Sequence, residues 1–134
     1  ERSQVTVVVD GDRSVRLRAA PGFAFQIVSN LVVNALTYAF PDQAGGTVRF
    51  TVDRVGQDAC LRYVDDGVGV APEVLARMFE PFFTTRRGAG GSGLGLHIVW
   101  SLVTVQLGGR VEAASEPGRG LAISMIIPCL SPSP

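Results

Sequence analysis

The sequence predicts an α/β sandwich of two layers, a mixed and mostly antiparallel sheet covered on one face by helices. Three observations predict it. Short β-rich runs come in pairs around turn signals, at 4–10 and 14–18, at 47–54 and 59–64, and at 110–115 and 120–127, and strands joined by tight turns are antiparallel neighbours. Two longer stretches, 23–40 and 94–107, repeat apolar residues at helical spacing. The order strand, strand, helix, two strands, helix, strand, strand has hairpins rather than strand–helix–strand units, which puts the helices on one side of the sheet.

The first pair of runs flanks Gly11-Asp12, and Ala20-Pro21-Gly22 then breaks the chain. From Phe23, the residues Ile27, Val28, Leu31, Val32, Ala35 and Ala39 share one broad helix face. Pro41, Gly45 and Gly46 mark a loop, and Gly56-Gln57 turns between the next two strands. Pro72 suits the first position of a short helix over 72–78, where its missing N–H is not needed. Residues 84–92 combine Gly with Arg86 and Arg87 and read as a flexible loop. The second long helix is stopped by Gly108-Gly109, and Glu116-Pro117-Gly118-Arg119 turns the closing hairpin. There is no internal repeat.

Size and charge bound the function. A chain of 134 residues is one domain with one core. Its hydrophobic fraction of 46% and zero net charge exclude a disordered tail and argue against nucleic acid as a partner, which needs a concentrated basic surface. All 12 basic residues are Arg. Without Lys there is no P-loop of the Walker type and no Schiff base. Cys60 and Cys129 lack ligand spacing and read as thiols in a reducing compartment. The apolar stretch 94–107 is too short to span a bilayer, so no direct membrane contact is expected. The charged start and the SPSP end read as linker boundaries.

Four motifs carry chemistry. The two Asn of NLVVNA join Gln26 and Thr37 in a polar stripe: Gln26, Asn30, Asn34 and Thr37 fall within about 80° of one another around the first helix, at about 100° per residue. A solvated face would use Glu or Arg, because Asn inside a helix costs about half a kcal/mol against Ala. The alternative to a solvated stripe is a set of side-chain carbonyls aimed at a hard cation such as Mg²⁺. In VDDGVGV, an acid ends a strand and glycines follow, so Asp65 can accept from an exocyclic amine while the backbone passes close to a ring; a plain polar turn is the other reading. FEPFFTT places Phe79, Phe82 and Phe83 beside the Gly-rich loop, as core or as its anchor. The run from Gly88 to Gly93 has the spacing G-x-G-x-x-G, but it follows FEPFFTTRR rather than a strand, which excludes a dinucleotide fold. It suits a loop ending at a helix start, where free N–H groups favour phosphate, where Gly91, Gly93 and Gly95 allow close approach and where Arg86 and Arg87 can reach a β- or γ-phosphate. His97, the single His, reads as a helix residue packed near the sheet, since one His builds neither a metal site nor a triad.

Taken in order, these runs resemble the catalytic ATP-binding domain of bacterial sensor histidine kinases, within the superfamily of gyrase, chaperone and mismatch-repair ATPases. NLVVNALTYAF resembles the N box, VDDGVGV the first glycine box, FEPFFTT the F box and GGSGLGLHIV the second glycine box, and LGGRVEAASEPGRGLAISMIIP the closing hairpin. The resemblance covers residues 22–128, nearly the whole of a single domain over 1–134. It implies that Asn34 coordinates the Mg²⁺ bridging the ATP phosphates, that Asn30 supports the pocket and that Tyr38 lines it. Asp65 would bind the adenine amino group, with clearance from Gly67 and Gly69. Residues 84–92 would cover the nucleotide, with contacts from Thr85, Arg86, Arg87, Gly91 and Ser92. Gly93, Leu94, Gly95 and Leu96 would form the phosphate-proximal helix start. Asn34 and Arg86 would act in catalysis.

The departures are informative. Thr37 stands beside Tyr38 where the family often has Lys or His, so Arg86 would supply that charge. The related ATPases place a general-base Glu where Asn30 stands, which disfavours hydrolysis and favours transfer to another acceptor. The resemblance therefore implies transfer of the γ-phosphoryl of ATP to a His on a separate dimerisation domain, in the same parent protein or in trans. A response regulator would be served indirectly. The domain is expected to be cytoplasmic, monomeric on its own and open to fusion with a membrane-anchored sensor. A nucleotide-gated interaction module and a Ser/Thr-directed kinase of the anti-sigma type are the alternatives.

Overall fold

The computed structural model describes residues 5–11, 22–40, 45–84 and 94–128. Five strands form one mixed sheet: β1 (Val5–Gly11), β2 (Gly46–Val55), β3 (Asp58–Asp65), β4 (Arg110–Ser115) and β5 (Leu121–Pro128). Their spatial order is β1-β2-β3-β5-β4. β1 runs parallel to β2, with Val8 beside Arg49, and every other pairing is antiparallel. The expected partner of β1 at 14–18 lies outside the described residues. The β2–β3 and β4–β5 hairpins form as expected, the first through Gly56 at φ 62.

Alternation makes one sheet face apolar. Phe50 of β2, Tyr63 of β3 and Ile123 of β5 stand side by side in register and are buried, and the Phe50 and Tyr63 rings meet edge to face at 5.6 Å. Helices α1 (Phe23–Asn34) and α3 (Gly95–Ser101) cover this face. Ile27, Leu31 and Val99 are fully enclosed there, and burial of each contributes about 1.5–3 kcal/mol. The opposite face carries Arg49, Asp53, Arg62, Arg110 and Glu112, all exposed. A short α2 (Pro72–Leu75) begins at Pro72 as expected, with the Val74 and Leu75 N–H groups on the Ala71 carbonyl.

Both long helices depart from regularity at their ends. After Asn34 the first continues as a π-helical turn, Ala35–Ala39, and the second continues through another, Leu102–Gln106. The N–H of Leu107 reaches back to Leu102 O at 3.2 Å, and Gly108 at φ 70 then reverses the chain. Such turns insert one residue per hydrogen-bonded ring and are frequent at functional sites. Among the described residues, no helix is long and apolar enough to cross a membrane.

Candidate nucleotide-binding site

The site is built around the end of β3. Period-two alternation sends Tyr63 and Asp65 to the helix side and leaves Asp66 exposed. Asp65 is 3% exposed, and among the described residues it is the one charged side chain that is buried. Such a carboxylate needs hydrogen-bond donors. The Tyr63 hydroxyl donates to Oδ2 and the Gly67 N–H donates to Oδ1 at 2.9 Å. Burial, and after it the charge of Asp65 and this hydrogen bond, push the Tyr63 phenol far above its ordinary range, so Tyr63 stays a donor. An ionised carboxylate offers about four lone-pair sites and no donor. After two bonds Asp65 can still accept from an amine, and it has no N–H with which to greet a carbonyl. Asp66 serves the strand instead, since its Oδ1 accepts the Thr47 N–H at 2.8 Å and fixes the start of β2.

The turn after Asp65 is tied to the π-helical turn that follows Asn34. The Val68 N–H donates to Ala39 O at 2.9 Å. A Cβ on Gly67 would lie 2.3 Å from that same carbonyl oxygen. Gly69, at φ 72, would bring a Cβ within 2.3 Å of Glu116 O. Gly120, at φ 80, would bring one within 2.0 Å of Asp65 O. The clearance that Gly67 and Gly69 supply is thus used by the chain's own backbone. Ser115 completes the join, its hydroxyl donating to Gly120 O at 2.6 Å while accepting the Val70 N–H at 2.9 Å.

Asn30 and Asn34 lie one turn apart on α1, both half-buried. The first residue of α3 stands against Asn30, since a Cβ on Gly95 would lie 3.9 Å from Asn30 Oδ1. That is ordinary van der Waals distance, so Asn30 does not itself require Gly at this position. Gln26 is exposed at the far end of the polar stripe. Thr37 turns its hydroxyl onto Val33 O at 2.9 Å, within its own helix. Tyr38 is half-buried and its hydroxyl shares a hydrogen bond with that of Thr84. Leu94 is half-buried beside α3, whereas Leu96 points into the core. Thr85, Arg86, Arg87, Gly91, Ser92 and Gly93 lie outside the described residues, as does Cys129.

The three Phe residues separate. Phe79 packs on the core, Phe83 lies under the Arg77 guanidinium at 4.7 Å and Phe82 is 61% exposed at φ 67. His97 is a helix residue as expected, stacked on Trp100 with its Nδ1 3.2 Å from Phe79 O. Cys60 is a free thiol on the open sheet face, pushed up by burial. Tyr63, Ser115 and Gly120 are the supporting residues that motif reading passed over. Tyr63 was within reach of the period-two rule, being two residues before Asp65 on one strand.

Known proteins resemble the chain in sequence and in fold. Residues 19–131 match the family described as histidine kinase-, DNA gyrase B- and HSP90-like ATPase. The chain belongs to this ATPase family. Within it, the relatives are sensor kinases. The sensor-like histidine kinase SenX3 of Mycobacterium tuberculosis is 31% identical over 134 residues, covering 97% of this chain and 32% of its own length. Of solved structures, the mycobacterial sensor histidine kinase MprB superposes with a TM-score of 0.78 at 28% identity, covering 98% of this chain and 86% of that one. Full-length ShkA, solved in complex with AMPPNP, gives 0.78 at 28% identity over 97% of this chain and 27% of its own. The chain spans 19% to 33% of the length of the curated sensor kinases it matches. Its mixed sheet with helices on one face is the fold of the solved sensor-kinase chains that it superposes on.

Proposed function

We propose that this catalytic domain binds Mg²⁺·ATP between the end of β3, the π-helical turn after Asn34 and the start of α3. It then transfers the γ-phosphoryl to a His on a dimerisation domain of the parent protein or of a partner. Asp65 carries the reading: a buried carboxylate with two fixed donors is an acceptor suited to the adenine amino group, and guanine presents a carbonyl there instead. The backbone contacts of Gly67, Gly69 and Gly120 hold that acceptor still, and such preorganisation is what makes a polar contact selective.

At the phosphate end Asn34 would hold Mg²⁺. Its half-buried side-chain amide carries a carbonyl oxygen, the kind of hard donor this ion takes. Among the described residues no three His, Cys, Asp or Glu side chains gather into a metal cage, and Mg²⁺ is bound by one or two protein oxygens together with substrate phosphates and water. When bound, the ion neutralises charge on the phosphates. Asn30 and Gly95 border the same space. Thr85, Arg86, Arg87, Gly91, Ser92 and Gly93 are proposed to contact the phosphates, with Arg86 balancing charge as the γ-phosphoryl leaves.

In the transfer, the acceptor imidazole nitrogen forms a bond to Pγ. The bond from Pγ to the bridging oxygen breaks, and ADP departs with its electron pair. Asn30 is not a base, so water is not activated at that position and the acceptor nitrogen is the nucleophile. Catalysis is then chiefly a matter of positioning. The phosphorylated His would serve a response regulator, and the domain would act in the cytoplasm as a monomer that docks on its acceptor.

The test mixes the chain with the acceptor domain of its parent protein and γ-labelled ATP in Mg²⁺. The expected product is acid-labile, alkali-stable label on the acceptor His. Acid-stable label on Ser or Thr, or no transfer at all, contradicts the proposal.

A further inference from the structure

The segment from Phe79 to Thr84 is held at both ends by side chains from the nucleotide-site motifs. At its far end the hydroxyls of Thr84 and Tyr38 share a hydrogen bond, and Tyr38 sits in the π-helical turn four residues after Asn34. At its near end the Phe79 carbonyl lies 3.2 Å from His97 Nδ1, and His97 is two residues past Gly95 in α3. A carbonyl only accepts, so the Nδ1 of His97 carries the proton in this contact. One end is thus tied to the helix of Asn34 and the other to the helix that opens beside Asn30. Between the two ties, Phe83 is covered by Arg77 and Phe82 stands out to solvent at φ 67.

The tie divides Tyr38 into two parts. Its ring would line the nucleotide site in the reading above, while its hydroxyl is engaged by Thr84. A ligand that holds the ring therefore also holds the partner of Thr84. By linkage, anything that orders residues 79–84 improves nucleotide binding by the same factor.

We propose that Tyr38, Thr84 and His97 are positioning residues for phosphoryl transfer, which join residues 79–84 to the nucleotide site so that the two are ordered together. This rests on the ATP-binding reading above. None of the three needs to touch the transferred phosphoryl group through its tethering atom.

The experiment compares the wild-type chain with Thr84→Val, Thr84→Ser, His97→Ala and His97→Asn. Three quantities are measured: the ATP dissociation constant, the amide-exchange protection of residues 79–84 with and without Mg²⁺·ATP, and the transfer rate to the acceptor domain. In wild type and in Thr84→Ser, ATP should raise the protection of 79–84. In Thr84→Val that gain should shrink about fivefold, the factor set by one intramolecular hydrogen bond, and the transfer rate should fall alongside it. His97→Ala should act in the same direction, and His97→Asn, which keeps a donor near the position of Nδ1, should recover. ATP should still bind each variant within about the same factor.

The inference is overturned if Thr84→Val keeps the full ATP-dependent protection and rate. It is equally overturned if Thr84→Ser loses as much as Thr84→Val. A wild type that binds ATP and gains protection but labels no His removes the transfer reading and leaves the coupling standing. A wild type that does not bind ATP removes both.

Discussion

The two ends of the proposed nucleotide site are built in different ways. The base end lies on a strand and its turn. Asp65 is buried, receives Tyr63 and Gly67, and is hemmed in by glycines that the neighbouring backbone requires. The phosphate end lies on helix termini, where Asn30 and Asn34 are half-buried amides and Gly95 has room for a Cβ beside Asn30. Specificity and chemistry are thereby placed apart. A base is a neutral, flat group that must be told from its analogues, and a fixed acceptor does this best. Phosphates bring their own charge, and helix ends with small polar residues can receive them with their metal without a dedicated cage.

If the base end is locked by packing, substitutions there should fail as folding defects. Gly120→Ala should be the most damaging, with a loss of roughly 3 kcal/mol, from left-handed backbone at about 1–2 kcal/mol and overpacking at about 1–3 kcal/mol. Urea midpoints would measure it. A midpoint within error of wild type would mean that the contact with Asp65 O is not tight.

Tyr63→Phe comes next, at about 2 kcal/mol at neutral pH, because a buried carboxylate loses a donor. The same variant has a pH signature. The native state keeps the Tyr63 proton well above the ordinary value, whereas the unfolded chain gives it up near about pH 10. Its contribution is complete below that pH and falls as pH rises above it, by up to about 1.4 kcal/mol per pH unit. Wild type and Tyr63→Phe should therefore converge in urea unfolding at alkaline pH. Parallel curves would contradict the environment given for Tyr63.

Gly95→Ala probes the phosphate end. Its stability should stay level or rise by up to about 1 kcal/mol, since Ala is the better helix former, while ATP affinity should fall about tenfold, about 1.4 kcal/mol. Destabilisation with unchanged affinity would reverse the assignment of the two ends. The mildest response concerns Cys60, on the sheet face turned away from both. Its raised thiol pKa should make alkylation at mildly alkaline pH slower than for a free thiol, and Mg²⁺·ATP should leave that rate unchanged. Protection by nucleotide would place the ligand on the wrong side of the sheet.

Much of this was legible in the sequence, for reasons that can be stated residue by residue. β2 and β3 lie within a residue or two of the expected bounds, because alternation and the Gly56-Gln57 turn are local signals. The choice of Asp65 over Asp66 follows from period two counted from Tyr63. The parallel pairing of β1 with β2 was not legible, since it joins segments separated by all of α1. The π-helical turns were hidden as well, because Ala35 and Ala39 fit helical periodicity whether the hydrogen bonds span four residues or five. The positions of Gly67, Gly69 and Gly120 could be read, but the carbonyls of Ala39, Glu116 and Asp65 that they face come from elsewhere in the chain. The contact between Tyr38 and Thr84 is non-local in the same way.

Everything proposed for the base end depends on Asp65 reading the base. The decisive experiment is calorimetric titration of the domain with ATP and with GTP in Mg²⁺, repeated on Asp65→Asn. Wild type should prefer ATP by at least about tenfold, as one hydrogen bond to a charged group allows, and Asp65→Asn should lose both the affinity and the preference. Equal binding of ATP and GTP by wild type, or an ATP preference that survives in Asp65→Asn, would show that Asp65 does not select the base.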